Sequence, residues 1–175
     1  KPSDGKPVTV PTQDMILGSY YLTMEKDGEP GEGKAFLSVD EATMAYNEGD
    51  IGLHSKIKIR MTKEINGEKV TELVPTTLGK IIFNNPIPQD LGFIDRSNPE
   101  NAFNLEVEFL VDKKGLGKII DKCIKKHGVH IASVMLDSIK AQGYKYSTKS
   151  GITVAVCDAI IPPHKQELLE AAEEK

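Results

Sequence analysis

Few residues in this chain are spaced to do chemistry alone. Gly115-Leu116-Gly117-Lys118 pairs glycine with lysine. It lacks the GxxxxGK[ST] spacing and the hydroxyl that cradle a phosphate. His54, His127, His130 and His164 show no HExxH pattern, and Gly128 separates His127 from His130, so shared metal ligation is not expected. No GxSxG turn offers a nucleophilic serine. Cys123 reads as a small core residue and Cys157 as a strand-end residue, and neither has an activating base nearby in sequence. With no CxxC, a cysteine zinc site is excluded and a disulfide scaffold is not expected. Chemistry this sparse suits a scaffold or channel wall better than a complete enzyme.

The elements that would hold these residues can be read along the chain. Its 175 residues suffice for one domain with a real core. Apolar residues make up 39% and charged residues 27%, which excludes a collagen-like or disordered chain. The longest apolar runs are a few residues, too short to span a membrane, and a cytoplasmic location is expected. The first residue is Lys1, and the pattern is still helical at Lys175, so a piece of a longer protein is expected.

Residues 1–11 read as an extended loop. Thr12 is placed to cap a helix starting at Gln13, with Met15, Ile16, Ser19 and Tyr20 as its buried stripe. Residues 26–33 form an exposed turn region. Ser38 and Glu41 make a capping box for a helix over 39–48 that Gly49 ends. Alternation from Leu53 to Met61 predicts a strand with His54, Lys56, Lys58 and Arg60 outward. Asn66-Gly67 predicts a hairpin turn and 68–74 the return strand, with Glu68 and Glu72 facing the basic row. Thr76 to Phe83 opens with a short helix, and 84–101 is a long loop punctuated by Pro86, Pro88 and Pro99. Leu105, Val107 and Phe109 alternate as another strand. Two helices follow, one with Leu116, Ile119, Ile120, Cys123 and His127 on one face. The other carries Ala132, Met135, Leu136 and Ile139, and Gly143 is expected to end it. Residues 144–151 read as a loop, 152–156 as a β-branched strand, and Pro162-Pro163 as the start of a last helix. The expected fold is α+β, a small mixed or antiparallel sheet with flanking helices.

Charge is uneven. Residues 113–149 hold nine Lys and two Asp, about +7; residues 150–175 hold two Lys against five acids, −3; and 1–112 carry −8. The basic stretch suits an anionic partner or a solvated helix face. The helix pair has the spacing of a DNA-reading unit, but no Arg or Asn array faces outward for base edges.

Several segments, in order, resemble one family. GKPVTVPTQDMILGSYYLT (Gly5 to Thr23) is similar to the beta-prime subunits of bacterial RNA polymerase, just after their NADFDGD motif. LHSKIKIR (Leu53 to Arg60), TTLGKIIFN (Thr76 to Asn84), YSTKSGITV (Tyr146 to Val154) and IIPPHK (Ile160 to Lys165) resemble the same subunits. The resemblance implies a pore domain over 1–161, with an acidic α+β part (1–112) and a basic helix pair plus strand (113–161). Residues 162–175 would begin the helical hairpin at the channel rim, where secondary-channel protein factors dock. It implies a share in DNA-templated transcription, lining the secondary channel for nucleotide entry and the backtracked RNA 3′ end. The partners implied are the beta, alpha, omega and sigma subunits, template DNA, RNA and nucleoside triphosphates, with no membrane.

Gln13 is the residue the resemblance places near the incoming nucleotide. His130, Val134 and Asp137 fall where some bacteria meet omega and bind a guanosine tetraphosphate alarmone. The family pattern there has Lys at position 130 and Tyr at 141. With His130 and Ala141 instead, a permanent cation and a stacking ring are lost, and no alarmone binding is expected. NADFDGD, the bridge helix and the trigger loop lie outside this sequence. The resemblance therefore implies no cofactor here, magnesium bound elsewhere, no catalytic residue, and an inactive isolated chain. The alternative is a stand-alone ligand-binding or regulatory α+β module, which would close its surface around an apolar pocket.

Overall fold

A computed structural model describes residues 7–65, 68–98 and 101–173, except the side chains of 65 and 68. The elements are α1 (Asp14–Thr23), β1 (Ala35–Phe36), α2 (Val39–Glu48), β2 (Ile57–Ile65), β3 (Glu68–Thr76), α3 (Leu78–Asn84), α4 (Lys113–Ser150) and α5 (Lys165–Glu173). The three strands form one mixed sheet in the order β1-β2-β3, with β1 parallel and β3 antiparallel to β2. The fold is thus α+β, as the sequence pattern predicts.

β2 starts later than alternation suggests. Leu53, His54 and Ser55 are all buried and precede the strand. His54 therefore points inward, because its Nε2 lies 2.7 Å from the Tyr21 carbonyl. From Ile57 the alternation holds, with Ile57 and Ile59 buried and Lys58 and Arg60 exposed. The register pairs Arg60 with Leu73 and Met61 with Glu72, so the basic row does not face the acids expected of β3. The expected hairpin turn at Asn66-Gly67 lies outside the described residues.

Helix ends follow local chemistry with one shift. The Ser38 hydroxyl accepts from the Glu41 amide at 3.1 Å, and Glu41 reaches back to the Leu37 amide at 2.6 Å, one residue before the usual box partner. Gly49 ends α2 in the left-handed region at φ 85°. The Thr77 hydroxyl caps α3 by accepting from the Lys80 amide at 3.2 Å.

The expected strand at 105–109 is absent. Asn84 takes the place of a neighbouring strand. Its side-chain amide donates to the Val107 carbonyl at 2.8 Å, and its Oδ1 accepts from the Val107 amide at 2.9 Å. The Thr23 hydroxyl accepts from the Val111 amide at 2.9 Å. Buried side chains thus satisfy backbone groups that a ladder would otherwise take. Glu106 is fully buried rather than wet: its carboxylate accepts from the Phe93 amide at 2.6 Å and pairs with Arg96 at 3.3 Å.

The two expected helices of 113–142 are both present, because Gly128 (φ 81°, ψ 177°) is non-helical and breaks α4 between them, and the second runs on to Ser150. Gly143 does not end it. A Cβ on Gly143 would lie 2.7 Å from the Met15 Cα, and one on Gly18 would run into the Gly143 carbonyl. The glycine pair lets α1 and α4 cross backbone to backbone, and that close approach, not helix termination, explains Gly143. Helix α4 continues through the expected loop and stops at Gly151, φ 58°. The β-branched run after it is not a strand; residues 152–155 are irregular and 156–158 form a 3₁₀ turn.

The core gathers Leu22, Ile59, Leu78, Phe83, Val107, Ile120 and Met135 from these elements. The stripe of α1 differs from the expected one. Ser19 is buried with Gly18, Leu22 and Thr23, while Met15 and Ile16 are half-buried and Tyr20 is exposed. No helix among the described residues is long and apolar enough to cross a membrane.

Candidate functional site

Gln13 sits at the start of α1 in a costly backbone conformation. Its φ is 49° with ψ −120°, and it is the one non-glycine residue with positive φ among the described residues. A side chain in this region costs about 1–3 kcal/mol and persists only where the surroundings enforce it. The enforcement is visible: the Gln13 carbonyl accepts from the amides of Ile16 at 3.0 Å and Leu17 at 3.1 Å, and Gly18 locks the next turn onto α4. The side chain does not cap the helix, and Thr12 does not either. The Gln13 amide is exposed and has no hydrogen-bond partner among the described residues. A neutral amide held this way can donate to or accept from a sugar or phosphate.

His130, Val134 and Asp137 lie along one exposed stripe of α4 beyond the Gly128 kink. Asp137 borders a shallow groove of about 350 Å³, walled by Pro7, Val8, Thr9, Val129 and Leu136. Gln13 lies two residues before Met15, which packs against Gly143 of α4. Six residues separate Asp137 from Gly143, about 9 Å of helix. The structure thus presents two separate surfaces. Ala141 is exposed beside the stripe.

Three polar clusters were not apparent from the motifs. His54 is buried edge-on against Tyr21, with ring centroids 4.4 Å apart, and its Nδ1 faces Glu29 at 3.9 Å. Burial first, then the charges of Tyr46 and Glu29, pushes the Tyr21 phenol up. Lys80, buried within TTLGK, pairs with Glu25. Asp90 meets His127 at 2.6 Å and Lys126 at 3.1 Å. Desolvation raises the Asp90 carboxyl, but hydrogen bonds from His127 and Lys126 and their charges bring it below its ordinary value. Partners in each cluster lie 25 to 55 positions apart, so spacing in sequence carries no sign of them.

Gly115 and Gly117 lie in the first turns of α4 rather than in a phosphate loop, and Asp112 caps them, accepting from the Gly115 amide at 2.6 Å. Cys123 is a buried free thiol and Cys157 an exposed one. Among the described residues no three His, Cys, Asp or Glu side chains converge to hold a metal ion.

Comparison with known proteins bears on the whole chain. A family model described as RNA polymerase Rpb1, domain 3, matches residues 1–159. The DNA-directed RNA polymerase subunit beta' of Clostridium acetobutylicum is 63% identical over 173 residues, 99% of this chain and 15% of that protein. The subunit of Clostridium perfringens strain 13 is 60% identical over 174 residues, 99% of this chain and 15% of that protein. That of Acetivibrio thermocellus is 57% identical over 175 residues, 100% of this chain and 15% of that protein. The chain spans about 15% of the length of these curated relatives. On a family match over nine-tenths of its residues and identities near 60%, the chain belongs to the beta-prime subunits of bacterial DNA-directed RNA polymerase.

Proposed function

We propose that this chain lines the secondary channel of a bacterial RNA polymerase, with 1–161 as the pore domain and 162–175 as the start of the rim hairpin. Nucleoside triphosphates enter past it during DNA-templated transcription, and the RNA 3′ end of a backtracked complex is extruded along it. Beta, alpha, omega and sigma are its fellow subunits, and secondary-channel protein factors meet it at the rim. Phosphoryl transfer takes place outside it, on carboxylates and magnesium that this chain does not supply. Alone, the chain polymerises nothing and binds no metal.

The observation that carries this reading is Gln13. Its exposed amide follows a positive-φ backbone at the start of a glycine-locked helix, and it has no partner among the described residues. Strain kept for an unpartnered side chain supports a partner outside the chain. We assign that partner as the nucleotide or the RNA 3′ end.

The test is Gln13→Ala in the assembled polymerase. Alanine keeps the backbone demand and removes the amide. Loss of one hydrogen bond to a charged ligand costs about 1.5–3 kcal/mol, so KM for nucleotides should rise roughly tenfold or more with assembly unchanged. An unaltered KM together with unaltered cleavage of backtracked RNA refutes the assignment. For the stripe of His130, Val134 and Asp137, the same enzyme should bind no guanosine tetraphosphate through this surface, and restoring both His130→Lys and Ala141→Tyr should create the affinity.

A further inference from the structure

Helix α1 is gripped through backbone at both of its ends. At its start Met15 rests on Gly143 of α4, and one turn on a Cβ at Gly18 would run into the Gly143 carbonyl. At its end a Cβ on Gly79 of α3 would run into the Leu22 carbonyl, and the Thr23 hydroxyl accepts from the Val111 amide at 2.9 Å. None of these three glycines has a positive φ. Glycine inside a helix is destabilising relative to alanine, so close approach of backbones is what each of them supplies. Gln13 lies two residues before the first of these contacts, about 3 Å along the helix axis. Its carbonyl accepts from the amides of Ile16 and Leu17, so the first turn moves as a unit with Met15. The left-handed backbone of Gln13 persists only where its surroundings over-determine it. Here those surroundings are the seat of Met15 and Gly18 on α4.

We infer that Gly143 is a positioning residue for Gln13: the bare backbone there sets where the Gln13 amide is held, and through it the grip on a nucleotide or the RNA 3′ end. The inference rests on the polymerase reading of Gln13. A methyl on Gly143 would lie 2.7 Å from the Met15 Cα, whereas ordinary contact starts at 3.4 Å, so the start of α1 must move by about 0.7 Å. With the far end held at Gly79 and Val111, that movement falls on the Gln13 end. A hydrogen bond of about 2.9 Å stretched by this much reaches about 3.6 Å and is no longer one. Gly143 thus acts on the ligand without touching it.

The experiment is a double-mutant cycle in the assembled polymerase. Gly143→Ala should raise KM for nucleoside triphosphates at least about fivefold, because a misplacement near 1 Å is felt strongly at a reacting site, with kcat nearly unchanged. A merely structural role would lower the fraction of active enzyme, and so the apparent kcat, and leave KM alone. Added to Gln13→Ala, Gly143→Ala should raise KM by less than about twofold more, because both changes act through one contact. Where Gln13→Ala alters only the cleavage of backtracked RNA, the same cycle is read on the cleavage rate. Hydrogen exchange of the wild-type full-length subunit gives a test that needs no variant to assemble. The amides of Ile16 and Leu17 should exchange at least about tenfold more slowly than the amide of Met44, on the exposed face of α2. Exchange at Ile16 and Leu17 as fast as at Met44 overturns the inference. So does an unchanged KM in Gly143→Ala, or a rise that adds in full to that of Gln13→Ala, and both leave the polymerase reading standing. If Gln13→Ala alters neither KM nor cleavage, that reading falls and the inference with it, a result this one variant separates from failure of the inference alone.

Discussion

Asn84 offers the sharpest test of how this fold is held. Its side chain reaches across 23 positions to take both the amide and the carbonyl of Val107, and it also donates to the Lys80 carbonyl at 2.9 Å. Asn84 and Val107 are buried, so water cannot readily replace these bonds. Asn84→Ala leaves the Val107 amide and carbonyl unpaired, and each such group costs about 1–3 kcal/mol. The expected destabilisation is about 2–6 kcal/mol, a large share of a typical domain's 5–15. Taking about 3 kcal/mol and a urea slope near 2 kcal/mol per M, the midpoint should fall by roughly 1.5 M. Asn84→Asp separates the two roles. The carboxylate still accepts from the Val107 amide but cannot donate to its carbonyl, and it brings a buried charge. Its loss should match or exceed that of alanine. Equilibrium urea unfolding followed by circular dichroism measures both. A shift for Asn84→Ala no larger than that of an exposed substitution, about 0.5 kcal/mol, refutes the claim that this side chain substitutes for a strand.

Other expectations follow from single contacts. Gly143→Ala puts a methyl 2.7 Å from the Met15 Cα and should destabilise by about 1–3 kcal/mol or prise α1 from α4, seen as a lower Tm. Gln13→Gly should raise Tm, because glycine takes the positive φ without the penalty of about 1–3 kcal/mol that glutamine bears. In a maleimide reaction, Cys157 should label at once and Cys123 only on unfolding, since burial and then the Asp90 charge push the Cys123 thiol up. Asp90 ionises below its ordinary value in the folded chain, so its contribution is present above about pH 4 and lost as the pH falls through the lower folded value. The stability gap between the wild type and Asp90→Asn should therefore narrow on acidification below that pH. A gap unchanged from pH 6 to pH 2 rules out the pairing with His127 and Lys126.

The sequence was most legible where structure is local. The Ser38 cap and the Gly49 terminator depend on residues within four positions and stand as read, and the short helix expected from Thr76 begins one residue later, capped by Thr77, with Thr76 ending β3. It was least legible where a long-range contact decides. Gly143 carries the signature of a helix end, and only the approach of Gly18 from 125 positions away makes it a helix interior. Leu105, Val107 and Phe109 alternate like a strand, yet a strand needs a neighbour, and Asn84 already holds Val107. His54 alternates outward in pattern but turns inward to the Tyr21 carbonyl. Gln13 was legible only through the resemblance: no spacing rule marks a glutamine, and its left-handed backbone emerges only once α1 is locked against α4.

The same logic separates the two failed strands. At 105–109 the pattern fails because buried side chains inside the chain replace the ladder, so the backbone there is satisfied and the apolar residues Leu105 and Val107 are covered. At 152–154 nothing among the described residues replaces it: the amides of Thr153 and Val154 and the carbonyls of all three residues are unpaired, and Val154 lies in solvent. Two strand-like patterns thus end in opposite states. Substituting Val107 by Asp should unfold the core, because that site is already filled. Substituting Val154 by Asp should leave the folding of these 175 residues unchanged. Thermal unfolding of the two variants distinguishes them directly. Equal losses of Tm mean that 152–156 is already packed within this chain, contrary to the exposure of Val154 and Val156.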